Sequence, residues 1–182
     1  VSFDAPDTVK DAMRRAIDEN RSHYLQTTGV PRLLDLLAAK LREKNGIPVG
    51  AADEVMVTTG GIHGLYIIYQ ALLEPGDEVL TSPLTFSTDI APLVRSGLVP
   101  VFVDVERDTY NLDVAGVEAM IGPRTKAILA PNLIGNAPDW DRLREIADRH
   151  GLQVIEDSCD SLGATLRGTP TGTRADISVT SF

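Results

Sequence analysis

The feature that most constrains this chain is an alternation. From residue 54 onward, short apolar runs alternate with longer segments whose apolar residues recur at helical spacing. "EVMV" precedes "IHGLYIIYQALL", and "DEVLTS" precedes a helical pattern over 88–96, with Pro92 expected near its start. "VPVFVDVE" precedes 113–121, "TKAILAP" precedes 139–150, and "LQVIEDS" and "DISVTSF" follow. The runs are nearly continuous hydrophobes, as in strands covered on both faces. This repetition predicts an α/β fold: three α-β-α layers around a mainly parallel sheet.

The first 50 residues read differently. Val9, Met13, Ala16 and Ile17 share one face of a helix over 7–20, with Asp7 as its N-cap. A second helix over 31–44 carries Leu33, Leu34, Leu36, Leu37 and Leu41; Pro31 suits its first turn and Asn45-Gly46 its end. No Pro/Gly/Ser-rich linker intervenes, so the expected organisation is a helical lead-in over 1–50 and an α/β unit over 51–182. A length of 182 residues suffices for a core. The net charge of -9 argues against a nucleic-acid or anionic-membrane partner, both of which need a basic patch. No apolar run approaches the ~18 residues of a membrane span, and no signal peptide is read. Cys159, the one cysteine, cannot form an internal disulfide and fits a cytoplasmic location. His23, His63 and His150 lack ligand spacing, so no metal site is expected. The start at Val1 and the stop within "ISVTSF" read as cut ends.

Parallel sheets gather ligands at the carboxyl ends of their strands. Here those ends read Thr58-Thr59-Gly60-Gly61, Thr81-Ser82-Pro83, Asp104, Pro131-Asn132, Glu156-Asp157 and Ser181. "TTGGIHG" leads from strand through glycines into helix, which suits either an anion at the helix N-terminus or a tight turn that binds nothing. Its Gly-Gly-x-x-Gly spacing departs from the dinucleotide fingerprint. Phe86 in "SPLTFSTD" is either core or a flat face for a planar ligand. Asn132 and Asn136 in "APNLIGNAP" serve the loop or a ligand. Asp157 and Asp160 in "EDSCDSLG" raise the sharpest question, because a buried carboxylate needs a partner. A cap on the following segment, an arginine partner or a solvated strand end would each answer it. No catalytic triad motif is present.

Taken in order, these stretches resemble the large domain of fold-type I pyridoxal phosphate enzymes. Residues 1–80, with "HYLQTTGVPRLLDLLAAKLREKNGI" and "VMVTTGGIHGLYIIYQALLEPGDEVL", are similar to the aspartate-aminotransferase-like class I/II branch. Residues 83–182, with "LTFSTDIAPLVRSGLVPVFVDV" and "VIEDSCDSLGATLRGTPTGTRADISVTSF", resemble the DegT/DnrJ/EryC1/StrS branch. Within it, "LIGN" and "EDSCDSLG" look closest to the sugar 3-dehydratases. A divergent natural member and a chimera both fit this split.

The resemblance implies pyridoxal 5'-phosphate as cofactor and a partial large domain. It also implies a transaminase-type activity that moves an amino group from a small-molecule donor to a keto acceptor, with a nucleotide keto-sugar as one candidate. The alternatives are a sugar 3-dehydratase, or a non-catalytic fragment that keeps only the fold. By resemblance, Gly60, Gly61 and Ile62 offer amides to the cofactor phosphate, Ser181 adds its hydroxyl, and Phe86 stacks on the ring. Asp157 accepts the ring's N–H and Asp160 is a second catalytic acid. Asn136, less surely Asn132, touches the ring hydroxyl. Glu156 points to the other side of the strand. Tyr24 reaches the phosphate of a neighbouring subunit, which implies a homodimer. The cofactor-bearing lysine lies a few residues past Ser181-Phe182 in this family, with histidine there in the 3-dehydratases. Lys10, Lys40, Lys44 and Lys126 fall outside that motif, so the chain alone is expected to be inactive. The resemblance also implies a missing antiparallel strand between the first and last strands present here, which leaves a gap in the sheet and the first strand unpaired unless another chain fills it.

Overall fold

The computed structural model describes residues 4–49 and 52–181. The expected boundary at residues 50 and 51, and Phe182 of the Ser-Phe pair, lie outside the described residues. Two helices lead in, α1 (Asp7–Asp18) and α2 (Pro31–Lys44). Then follow α3 (Gly61–Leu72), β1 (Glu78–Thr81), α4 (Ser87–Arg95), β2 (Val99–Phe102), α5 (Val114–Val117) and β3 (Thr125–Pro131). The chain continues through α6 (Trp140–His150), β4 (Gln153–Asp157), the hairpin of β5 (Thr165–Leu166) and β6 (Thr169–Pro170), and β7 (Ile177–Val179).

Five strands form one sheet in the order β2-β1-β3-β4-β7, every neighbouring pair parallel. Successive residues of β3 feed opposite layers. Ile128 and Ala130 pack with Leu80, Val154 and the α6 residues Trp140, Leu143, Ile146 and Ala147. Ala127 and Leu129 pack with Val79, Ile155, Val179, the α3 residues Leu65, Ile68 and Tyr69, and Leu93 of α4. This is the expected three-layer α-β-α arrangement, and it explains why the strands read as unbroken apolar runs.

Local chemistry sets the helix ends. Asp139 caps α6 by accepting the Arg142 N–H, and Gly151 closes it in the left-handed region at φ 64. Pro92 sits mid-helix in α4 rather than near its start. It lies on the buried face with Asp89 and Leu93, so packing offsets the hydrogen bond its missing N–H forfeits.

Two further expectations change. Residues 55–59 form no strand. Val57 N–H reaches the Thr28 carbonyl at 2.9 Å, and no strand pairs with this segment among the described residues. A β ladder needs a neighbour, so the apolar pattern alone could not make one. The helix expected over 113–121 is one α-turn, α5, followed by a 3₁₀ turn over Glu118–Met120. The lead-in is loosely held: α1 buries no side chain, and α2 buries only Leu34 and Ala38.

Candidate active site

The strand ends converge on a cavity of about 280 Å³. Its rim is built from five places in the chain. Gly61 and Ile62 come from the start of α3, and Thr85, Phe86 and Thr88 from the entry to α4. Pro131 ends β3, with Asn132 and Leu133 after it; Asp157 ends β4, with Cys159 and Asp160 after it; Ser181 follows β7.

At one end lies the N-terminus of α3. Gly60 precedes it at φ 78, a conformation that favours glycine, and no side chain caps the helix. The Gly61 and Ile62 amides have no acceptor among the described residues, while His63 and Gly64 donate back to Gly60. At Gly61 space is tight: a Cβ would meet Cys159 Sγ at 3.2 Å, and the thiol would have to give way. The first turn thus offers unspent N–H groups beside the Ser181 hydroxyl, the donor set an anion wants.

At the other end, Asp157 closes β4. It is 8% exposed, and its Oδ1 accepts the Cys159 N–H at 2.9 Å. No arginine grips it and no lysine or arginine lines the cavity among the described residues. Between the two ends stands Phe86, 71% exposed, at the position just before α4. Its ring is open on the cavity side rather than spent in the core. Asp160 secures the opposite lip. Its Oδ2 accepts the Ile134 N–H at 3.2 Å, which holds the Leu133–Gly135 turn in place. Gly135 is needed there, since a Cβ would sit 3.2 Å from the Asp160 carbonyl oxygen.

Four expected residues behave otherwise. Asn136 is not in the cavity wall; its Nδ2 donates to the Thr109 carbonyl at 3.1 Å. The cause is the preceding turn, where Ile134 at φ 57 and Gly135 at φ 80 redirect the chain. Asn132 does line the cavity, but its side chain is spent beneath the floor. Its Nδ2 donates to Glu156 Oε1 at 2.7 Å and Ser158 Oγ at 2.9 Å, and its Oδ1 accepts from Trp140 Nε1 at 2.8 Å. Gly60, expected to offer its amide to a phosphate, spends it on the Thr58 carbonyl at 3.0 Å. Tyr24, expected at a neighbouring subunit, is fully exposed between α1 and α2. Glu156 faces the opposite layer from Asp157, as strand alternation requires.

Sequence reasoning missed Asp89. It is fully buried in α4, and its Oδ2 accepts from Thr85 Oγ1 at 2.5 Å. Burial first, then the Asp157 charge, pushes its pKa up to about 7. The signal was present: Asp89 shares the i, i+3, i+4 face of Pro92 and Leu93, where an acid is out of place. Cys159 was also missed. Its thiol is pushed up to about 12, mainly by burial and then by hydrogen bonding with Asp157.

The arrangement asks for a flat ligand with an anion at one end and a positive or proton-bearing group at the other. Pyridoxal phosphate fits this donor set: amides and a hydroxyl for a phosphate, an open aromatic face for a ring, and a buried acid for a ring nitrogen. The fold and site therefore define the large-domain architecture of fold-type I pyridoxal phosphate enzymes. The chain belongs to the DegT/DnrJ/EryC1/StrS aminotransferase family, matched over residues 39–182. It is 40% identical over 165 residues to the lipopolysaccharide biosynthesis protein RfbH of Salmonella typhimurium, covering 86% of this chain and 36% of that protein. Over 113 residues it is 47% identical to dTDP-4-dehydro-2,6-dideoxy-D-glucose 3-dehydratase of Saccharopolyspora spinosa, covering 62% of this chain and 24% of that one. A single mutant of Thermus thermophilus aspartate aminotransferase superposes with a TM-score of 0.76 at 34% identity, over 86% of this chain and 42% of that one. The chain thus spans well under half of each protein. The family match begins at residue 39, inside the part that resembles the aspartate aminotransferases.

Proposed function

We propose that residues 51–182 are the cofactor-binding part of a pyridoxal phosphate enzyme that transfers an amino group to a keto acceptor, with a nucleotide keto-sugar as the acceptor class. Residues 1–50 are its helical lead-in. The observation that carries this reading is Asp157: a buried acid, free of any arginine, at the inner end of a cavity whose outer end is a helix N-terminus. The sugar-nucleotide substrate class draws support from the similarity to the Saccharopolyspora 3-dehydratase.

When bound, pyridoxal phosphate supplies a cationic ring that withdraws electrons from a substrate carbon as its proton leaves. The chain's own residues do the rest. Asp157 accepts the ring N–H and keeps the ring protonated, a charge-assisted bond worth about 1.5–3 kcal/mol. The Gly61 and Ile62 amides and the Ser181 hydroxyl hold the phosphate, and Phe86 covers one ring face and excludes water from it. Asp160 fixes the lip that borders the acceptor. No lysine lines the cavity among the described residues, so this chain alone binds the cofactor without turning it over. Tyr24, fully exposed, is left free to complete the site of a second copy in a homodimer.

Pyridoxamine 5'-phosphate binds without a lysine and reports through its fluorescence. The chain should bind it more tightly than inorganic phosphate, and Asp157→Asn should weaken it roughly 10- to 100-fold, the factor such a bond implies. Equal affinity of the unaltered chain for the two ligands would overturn the assignment. A second reading, a sugar 3-dehydratase, is favoured by Asp160 and by the 47% identity to the Saccharopolyspora enzyme. In the longer protein, lysine shortly after Phe182 decides for amino transfer and histidine for dehydration.

A further inference from the structure

We propose that Asp89 is the positioning residue for Asp157: one proton held between the two carboxyl groups ties them together, so that the pair presents a single fixed negative charge to the ring-nitrogen end of the cavity. This rests on the proposed cofactor site and names a part of it that the ring does not touch.

The starting point is a hydrogen-bond deficit. Asp89 is fully buried, and its Oδ1 has no partner among the described residues. Its Oδ2 is already occupied by Thr85 Oγ1. The polar group that meets Asp89 across the layer is the Asp157 side chain. Two buried acceptors face to face have no donor between them, and burying both charges is costly. A single shared proton removes both problems.

Among the described residues, the groups that act most strongly on Asp89 supply no further donor. Just ahead of α4 the contact is Thr85, already used. From β4 and the turn after it come Asp157, Asp160 and Cys159. From α3 comes Tyr69, whose hydroxyl donates to the Asp89 main-chain carbonyl at 2.9 Å and not to the carboxyl. Burial, and then Asp89 and Asp157 themselves, push Tyr69 further from ionisation, so it stays neutral. The groups that act most strongly on Asp89 include no lysine, arginine or histidine. Asp157 has one oxygen restrained by the Cys159 N–H, and a bridge to Asp89 restrains the carboxyl from a second direction. A fixed acid holds a ring proton in one geometry, whereas a swinging one does not.

The deciding measurement is an NMR pH titration of the chain labelled with ¹³C at aspartate carboxyls, with no ligand added. One aspartate should titrate near neutrality, two or more pH units above the ordinary range near about 4. Asp89→Asn should abolish that step, and Asp157→Asn should move it downward. Burial alone raises this step as well, so the downward move in Asp157→Asn is the readout that a merely buried Asp89 would not give, and a step unmoved by Asp157→Asn would refute the bridge. The proposal falls if every aspartate of the unaltered chain titrates below about pH 5, or if the near-neutral step survives Asp89→Asn. The first criterion needs no variant, so misfolding of a variant does not blunt it. Because no cofactor is present, this result is independent of the pyridoxamine phosphate experiment: failure there with a near-neutral step here sinks the cofactor assignment and leaves the proton bridge standing.

Discussion

Glu156 and Asp157 are neighbours on β4 and face opposite layers of the same sheet, yet their surroundings are reversed. Glu156 is fully buried and meets donors on every side: Asn132 Nδ2 at 2.7 Å, Ser158 Oγ at 2.5 Å, and the Gly172 N–H at 2.8 Å to each oxygen. Behind it, Trp140 Nε1 completes Asn132. Asp157 has only the Cys159 N–H and thiol, and meets a second acid, Asp89. The first layer is a closed network that ties the 158–172 segment to the sheet. The second is short of donors and open to a cavity. A polar cluster that completes itself holds a fold together, while one left incomplete waits for a ligand to complete it.

The contrast can be broken experimentally. The largest effect is expected from Glu156→Ala, which strands Asn132, Ser158 and the Gly172 amide; a loss of about 4 kcal/mol in urea unfolding is expected from several unmet partners at once. A loss under about 1 kcal/mol would show that the network is not the structural one.

Asp89→Asn comes next, with the opposite sign at high pH. The folded-state pKa of Asp89 is raised from 3.8 to about 7. Between these values the folded chain holds the proton and the unfolded chain does not. Stability is therefore greatest at and below about pH 4 and falls as pH rises to about 7, by at most about 1.4 kcal/mol per unit. Removing the titration should make Asp89→Asn more stable than the parent at pH 8, by on the order of 2 kcal/mol, and leave the two similar at pH 4. Melting temperatures at the two pH values check this; an identical difference at both would refute it.

Trp140→Phe keeps an aromatic ring but shrinks it, leaving a small void and no donor to Asn132 Oδ1, with an expected cost of about 2 kcal/mol by denaturant midpoint. The smallest effect belongs to the lead-in. Met13, 63% exposed on α1, should be replaceable by serine within about 0.5 kcal/mol in the isolated chain. A larger loss would mean that α1 is held by contacts this structure does not contain.

Much of the site was legible before any coordinates. Gly61, Ile62, Phe86, Asp157, Asp160 and Ser181 do meet at one cavity because each follows a strand or opens a helix, and parallel sheets bring those ends to one side. Asn136 misled because its neighbour Asn132 stands at the strand end proper, and only the left-handed turn at Ile134 shows which of the two faces the cavity. Asp89 was passed over because its role depends on a residue of another element. The segment over 55–59 carried a strand's composition, but composition supplies no partner.

Sequence alone determined the order of strands and helices, the burial of the strands on both faces and the row of polar strand ends. Hydrophobic period and turn chemistry are local properties, written into consecutive residues. The tertiary structure decided which of two adjacent acids would be satisfied by its own fold and which would be left facing another acid across the layer. That outcome depends on how helices α3, α4 and α6 pack against opposite faces of one sheet, and the distance between side chains on different elements is set by packing alone.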